Sequence, residues 1–247
     1  MKISIITVCY NAGKTIRHTL ESVLGQSYAD IEYIVVDGGS KDETFQIINE
    51  YSTKISRFIS EPDRGMYDAI NKGIGMATGD IIAILNADDV YANREVIEKV
   101  VSRFSETGTM GLYGDLVYVD FNNPDKIVRK WISGSYRTGD FLKGWMPPHP
   151  AFFVRREAYE KYGMFRTDLK TAADYELMLR MIHKHEITLS YLPGILVKMR
   201  TGGMSNNSMA SRINANKEDR RAWELNGLKP KWYTLWVKPL RKLGQFF

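Results

Sequence analysis

The first ninety residues alternate between short continuous apolar runs and stretches whose apolar positions recur at helical spacing. Residues 3–9, 33–36, 55–60 and 81–85 are the runs, the third the weakest, and each reads as a buried strand. Helical patterns follow the first three runs, over residues 15–24, 42–51 and 67–77. Strands alternating with helices predict a mainly parallel sheet with helices on both faces. In such sheets ligands collect beyond the carboxyl ends of the strands. Polar residues stand at three of those ends: Tyr10-Asn11, Asp37, and Asn86 to Asp89.

The second half is less regular. Residues 112–121 and 126–132 read as two longer strands that pair, followed by a Gly/Pro/aromatic loop over 143–153. A helix is expected over 172–184 and a strand over 187–197. After Arg200-Thr201-Gly202-Gly203 the chain turns polar, with a helix over 208–225. From Trp232 onward, Trp232, Leu235, Trp236, Leu240, Leu243 and Phe247 approximate one helical face. Pro239 interrupts that pattern and predicts two short helices or a kink. There is no internal repeat and no low-complexity segment.

Composition narrows the class. A chain of 247 residues with 44% hydrophobic content supports one large α/β domain or two fused halves. The single cysteine, Cys9, excludes an internal disulfide and, within its apolar run, reads as a buried thiol in a reducing compartment. The apolar start is too short for a signal peptide, and no window approaches the ~20 apolar residues of a membrane span. The net charge is +5, and the tail beyond Gly227 holds Lys229, Lys231, Lys238, Arg241 and Lys242 with no acid. The excess therefore belongs to the tail, which excludes a fold that grips nucleic acid over its body.

Asn86-Ala87-Asp88-Asp89 carries the strongest chemistry. Adjacent acids at a strand end suit a divalent cation bridging to a diphosphate, or an Asp capping the next helix. Asp37, ahead of Gly38 and Gly39, accepts a nucleobase N–H or shapes the turn, and Ser40 with Glu43 fits a capping box. Asp174, in the first turn of its helix, is either a dipole-stabilised surface acid or a general base. Glu61, Asp63 and Asp68 are further acids of lower rank. His149 sits among Pro147, Pro148 and Pro150 with Trp145 close by, a setting for sugar stacking and hydroxyl recognition or for structural hydrogen bonding. Arg200 beside its glycines closes over a diphosphate or is a surface arginine.

Five segments in order resemble the family 2 glycosyltransferases of the GT-A fold: SIITVCYNAGKTI, SVLGQSY, IVVDGGSKDET, SEPDRGMYDAINKGIGMATGDIIAILNADD and TAADYELMLR. The similarity runs over residues 3–205, and the EPDRGMYDAINKGI phrase resembles the subgroup of bacterial capsule, colanic-acid and O-antigen clusters. The resemblance implies a GT-A-like domain over 1–205, with a nucleotide-sugar half (1–115) and an acceptor half (116–205), and a helical extension over 206–247. It implies that Val8 and Tyr10 border the base, Asp37 binds it, and Asn71 lines the donor site. Asp88 would hold Mn²⁺ or Mg²⁺, and Asp174 would be the catalytic base. The chain departs at Asn86, where many relatives carry Asp, and at Ala173, where a Glu usually precedes the base.

The expected activity is thus inverting transfer of one sugar from a nucleotide sugar, UDP favoured, with GDP or dTDP as alternatives. The acceptor would be a saccharide or a polyprenyl-diphosphate-linked glycan. The basic, Trp-bearing tail predicts an interfacial anchor on anionic lipid at the cytoplasmic face of a bacterial membrane, or a helix docked on the body. A processive synthase would carry membrane spans and a Gln-x-x-Arg-Trp signature, which residues 219–223 echo only in part. A sugar nucleotidyltransferase would carry a Gly-rich phosphate loop, of which residues 10–14 are a poor version. An inactive membrane-associated binding module is the non-enzyme alternative.

Overall fold

The computed structural model describes residues 1–202, 209–241 and 245, with the backbone alone over 209–214. Gly203, the expected boundary at Ser205, and the tail residues Lys242, Leu243 and Phe247 lie outside the described residues.

Nine strands form one sheet among the described residues, in the order β3-β2-β1-β4-β8-β6-β9-β5, with β7 paired to β6. The first four, β1 (Ile3–Cys9), β2 (Ile31–Asp37), β3 (Arg57–Ser60) and β4 (Ile81–Ile84), pair in parallel, as the alternating pattern predicts. Alternate residues along these strands feed two cores: Ile6, Val8, Ile34, Val36, Ile82 and Ile84 on one face, Ile3, Ile5, Tyr33, Val35, Ile81 and Ala83 on the other. Burial on both faces is why β1, β2 and β4 read as continuous apolar runs, while β3, at the sheet edge with Arg57 and Ser60 exposed, gives the weakest one.

α1 (Ile16–Leu24) and α2 (Thr44–Glu50) cover one face, and α3 (Met66–Met76) covers the other. α3 approaches β1 closely because Gly73 has no side chain; a Cβ there would collide with Ile6. The expected capping box does not form, because Ser40 is spent on Asp37 and Asn11 and α2 begins at Thr44.

The other half of the sheet is largely antiparallel. β8 (Phe152–Arg155) runs against both β4 and β6 (Gly111–Val119), so the end of the expected 143–153 loop is a strand. β6 pairs with β7 (Ile127–Trp131) as expected and runs parallel to β9 (Leu189–Arg200), which also pairs with the short β5 (Val90–Tyr91). α4 (Val96–Thr107) packs its buried Val96, Ile97, Val100, Val101 and Phe104 beneath this half. α5 (Arg156–Tyr162) follows β8. The expected 172–184 helix is α6 (Ala173–Met178) continued by a π-helical turn, Leu179–Lys184.

The C-terminal helices belong to the same core. On α7 (Met209–Leu225), Trp223 is fully buried and donates its indole N–H to Tyr175 Oη at 2.9 Å. α8 (Thr234–Arg241) is one helix that contains Pro239, not two. A proline cannot donate to the carbonyl four residues back, and Asn216 Nδ2 reaches that carbonyl, Leu235 O, at 3.4 Å. α8 docks through buried Thr234 and Leu235, while Trp232, Trp236 and Leu240 are 86%, 73% and 59% exposed. Among the described residues no helix is long and apolar enough to cross a membrane.

Candidate active site

The loops after β1, β2, β3 and β4 meet at one edge. Tyr10, 60% exposed, follows β1. Asn11 takes a left-handed conformation, and its N–H donates to Ser40 Oγ while its Oδ1 accepts the Lys41 N–H. The β1 and β2 loops are thereby stitched together. Val8 lies in the core at 7% exposure, two residues before Tyr10 near the end of β1.

Asp37 is fully buried. Its carboxylate accepts Ser60 Oγ at 2.6 Å, Ser40 Oγ at 2.5 Å and the Ser40 N–H at 3.1 Å. Of its two expected roles, this geometry displays the turn-shaping one. Burial pushes the neighbouring Cys9 thiol well up, with Asp37 adding to it, so the thiol stays protonated and inert.

Past β4, Asp88 is half-buried and Asp89 fully buried. Burial raises the carboxyl pKa of Asp88 against the opposing charge of Arg200. Burial, then the charge of Asp88, lifts Asp89 well above the usual range. β9 brings Arg200 here, where its guanidinium donates to Asp88 O at 3.0 Å and is only 4% exposed. Arg200 is therefore a buried arginine of the acidic turn, not a surface residue. Asn86 Nδ2 donates to Asp89 Oδ2 at 3.3 Å, yet Asn86 Oδ1 and Asp89 Oδ1 are buried without a hydrogen-bond partner. Unpaired buried oxygens behind a half-buried carboxylate are the donor set a hard cation takes. Among the described residues no group of three or more His, Cys, Asp or Glu could hold a metal. A cation on Asp88 would thus draw its other ligands from elsewhere, as a bound diphosphate supplies them.

Asp174 stands half-buried in the first turn of α6. Its Oδ1 accepts the Tyr67 hydroxyl at 3.4 Å and the Tyr175 N–H at 2.7 Å. The His149 imidazole lies close enough to feel the Asp174 charge, although burial dominates and lowers its pKa, leaving a neutral ring. His149 Nε2 is buried without a partner. Phe165 stacks on Tyr67 at 5.7 Å and meets His149 edge-on at 5.5 Å.

Two residues expected to meet ligand are engaged within the fold. Asn71 Nδ2 donates to Phe165 O at 2.8 Å and Asn71 Oδ1 accepts the Phe165 N–H at 3.0 Å. Both ends of its amide are engaged, so Asn71 fixes Phe165, the ring between Tyr67 and His149. Trp145 is 5% exposed, donates to Ser133 O at 2.9 Å, and packs on Tyr113, Tyr136 and Phe141. A sugar cannot stack on a ring enclosed that way. Trp145 does edge a cavity of about 240 Å³ bordered by Lys130, Trp131, Lys238 and Arg241.

Sequence patterns missed Glu218 on α7. Its carboxylate accepts the N–H groups of Lys170, Thr171 and Ala172 at 3.0, 2.6 and 3.1 Å, capping the turn that leads into Asp174. Tyr67 and Phe165 were missed as well; an apolar spacing marks them only as core.

The mixed sheet, parallel across β1 to β4 and with an acidic strand end, is GT-A-like, the architecture of nucleotide-sugar transferases. The chain belongs to glycosyl transferase family 2, whose profile matches residues 4–163, and it is a glycosyltransferase. It is 32% identical over 186 residues to an uncharacterised glycosyltransferase of Mycobacterium tuberculosis, covering 72% of this chain and 68% of that one. Two solved structures share the fold at 19% identity, both at a TM-score of 0.70. One is S. aureus TarS 1–349 in complex with UDP-GlcNAc, matched over 92% of this chain and 65% of that one. The other is the mannosyltransferase PcManGT from Pyrobaculum calidifontis in complex with GDP-Man and Mn²⁺, matched over 96% and 72%. The chain spans 39% of a longer TarS chain it also matches.

Proposed function

We propose that this glycosyltransferase moves one sugar from a nucleoside-diphosphate sugar, a UDP-sugar first, onto a hydroxyl of a saccharide or polyprenyl-diphosphate-linked acceptor. The pairing of unsatisfied buried oxygens with half-buried Asp88 at the β4 end carries the donor half of this reading. The nucleotide sugars bound to TarS and PcManGT support the same donor class. Mn²⁺ or Mg²⁺ held by Asp88 would offset the charge of the diphosphate leaving group. Arg200 holds the Asp88 backbone in place, and the Asn86 amide, turned outward from Asp89, would accept a ribose hydroxyl.

Asp174 Oδ2 removes the proton of the acceptor hydroxyl. That oxygen attacks the anomeric carbon as the nucleoside diphosphate departs, and a single displacement inverts the configuration. Trp232, just ahead of α8, and Trp236 and Leu240 on it are exposed in a stretch that also holds Lys229, Lys231 and Arg241, which supports seating on an anionic membrane face, the cytoplasmic leaflet in a bacterium. Lys238 does not contribute there, because it pairs with Asp219 at 2.7 Å and lies over Tyr175.

Thermal shift against UDP-, GDP- and dTDP-sugars, with and without Mn²⁺, tests the donor half. The largest stabilisation is expected with one donor plus Mn²⁺, since a ligand of the native state raises its stability. Asp88→Asn should remove the metal-dependent part. A chain indifferent to every donor would sink the reading.

A further inference from the structure

We propose that the cleft between β7 and α8 binds the diphosphate head of a lipid-linked acceptor, with Lys130 and Arg241 taking its two phosphoryl groups. This deepens the acceptor half of the reading above and rests on it. The cleft is the cavity of about 240 Å³ edged by Trp145. Lys130 and Trp131 of β7, then Ile132, border it on one side, and Lys238 and Arg241 of α8 on the other. Pockets for drug-sized ligands run to about 300–1,000 Å³, so this one suits a head group and not an oligosaccharide.

The three bordering cations differ in their commitments. Lys238 Nζ pairs with Asp219 at 2.7 Å and lies over the Tyr175 ring at 3.5 Å. Lys130 and Arg241 are exposed, and among the described residues neither side chain has a hydrogen-bond or ion-pair partner. None of the described residues that border the cleft is an acid. Cations of one sign set against apolar tryptophan walls focus a positive potential into the space between them. A guanidinium grips phosphoryl oxygens in pairs, and an ammonium meets them as a point charge. Two such groups on separate elements give each phosphoryl of a diphosphate its own counter-charge.

The rim indicates what carries that diphosphate. Ile132 is exposed there, and Arg241 directly follows exposed Leu240 on the helix whose Trp236 also faces out. A basic cleft beside exposed apolar side chains suits an amphiphile whose chain stays in lipid while its head enters. On the inner side, Tyr175 joins the cleft to the proposed base. Its ring lies under Lys238, and its N–H donates to Asp174 Oδ1 at 2.7 Å. A glycan whose diphosphate is held in the cleft is therefore anchored one side chain from Asp174.

Lys130→Gln is the informative variant, because Lys130 lies on β7, apart from the tail proposed to seat on lipid. Titration calorimetry of the full chain in EDTA, which keeps diphosphate off a metal at Asp88, compares farnesyl diphosphate, inorganic diphosphate and farnesol. The wild-type chain should bind farnesyl diphosphate at least about tenfold more tightly than either of the others. Lys130→Gln and Arg241→Gln should each weaken that binding at least about tenfold, the scale of one hydrogen bond to a charged group. Tm and UDP affinity in Mn²⁺ should hold, and Lys130→Gln should sediment with phosphatidylglycerol vesicles as the wild type does. Farnesyl diphosphate affinity indifferent to both substitutions overturns the cleft assignment and leaves the lipid-linked acceptor in place. Inorganic diphosphate that binds as tightly as the farnesyl compound makes the cleft a site for a free anion and overturns the lipid assignment. A wild-type chain that binds UDP with Mn²⁺ but no farnesyl diphosphate overturns the lipid-linked acceptor and this proposal with it, while the donor reading stands.

Discussion

The hydroxyl of Tyr67 on α3 stands 3.4 Å from Asp174 Oδ1 at the start of α6, joining the two halves of the sheet at the proposed acceptor site. Burial and the nearby Asp174 charge push the Tyr67 phenol well up, so it stays protonated and can donate to Asp174. With the Tyr175 N–H on the same oxygen, Oδ2 is the oxygen left for an acceptor hydroxyl. Asp174→Asn should lower kcat by at least about 100-fold, the usual worth of a general base, and leave donor affinity alone. Tyr67→Phe removes a long hydrogen bond and should cost less than about tenfold in kcat. Steady-state kinetics beside donor titration separates these effects, and full turnover by Asp174→Asn would end the base assignment.

Glu218 holds the approach to that base. Three backbone N–H groups ahead of α6 converge on its carboxylate. Glu218→Ala leaves them without this cap and should destabilise the chain by about 1–2 kcal/mol, the scale of a lost helix cap. Because Asp174 follows directly, kcat should fall further than stability accounts for at a temperature where the variant is folded, with UDP affinity unchanged. Equal losses of kcat and UDP affinity would place the effect in global folding.

The alternating strands and helices of the first half were legible because β1, β2 and β4 are buried on both faces, and two-sided burial leaves a continuous apolar run; the edge strand β3, only partly buried, gives the weakest run. α4 carries a helical pattern of its own, in Val96, Ile97, Val100, Val101 and Phe104 ahead of the left-handed Gly108. Side-chain commitments were not legible. Nothing local shows that the Asn71 amide is spent on Phe165, 94 residues away, or that Trp145 is enclosed by three rings. Glu218 reaches the Asp174 turn from a polar helix 48 residues beyond Lys170, a contact only tertiary packing reveals.

α8 resolves the tail into two roles. Leu235 and Thr234 face the body, and Lys238 is locked to Asp219, while Trp232, Trp236 and Leu240 face out. Deleting residues 228–247 would disturb both roles together, so the discriminating variant replaces the three outward residues with Ser. Cosedimentation with phosphatidylglycerol vesicles should fall by at least about tenfold, since three apolar side chains lose their transfer into lipid. Tm should hold, because none of the three is buried. Undiminished sedimentation of the triple variant would remove the membrane-facing role of α8.

Glu32 sets an acid limit to the fold at the opposite end of the strands. It is 4% exposed and accepts Ser4 Oγ at 2.6 Å, the Thr78 N–H at 2.7 Å, Thr78 Oγ1 at 2.8 Å and Lys2 Nζ at 3.3 Å. Burial by itself would raise its pKa, but these donors outweigh burial and hold it at about 2, against 4.5 unperturbed. A carboxyl depressed in the folded state contributes stability above its unfolded pKa and loses it as pH falls through the folded one. The window therefore runs from pH 4.5 down to about 2. Glu32→Gln should be less stable at neutral pH by on the order of 3 kcal/mol, from the size of the shift. Urea unfolding of both chains from pH 7 to pH 2 should show that gap closing across the window. A gap that stays constant to the acid end would mean that side-chain shape, not the charge of Glu32, joins β1, β2 and the turn before β4.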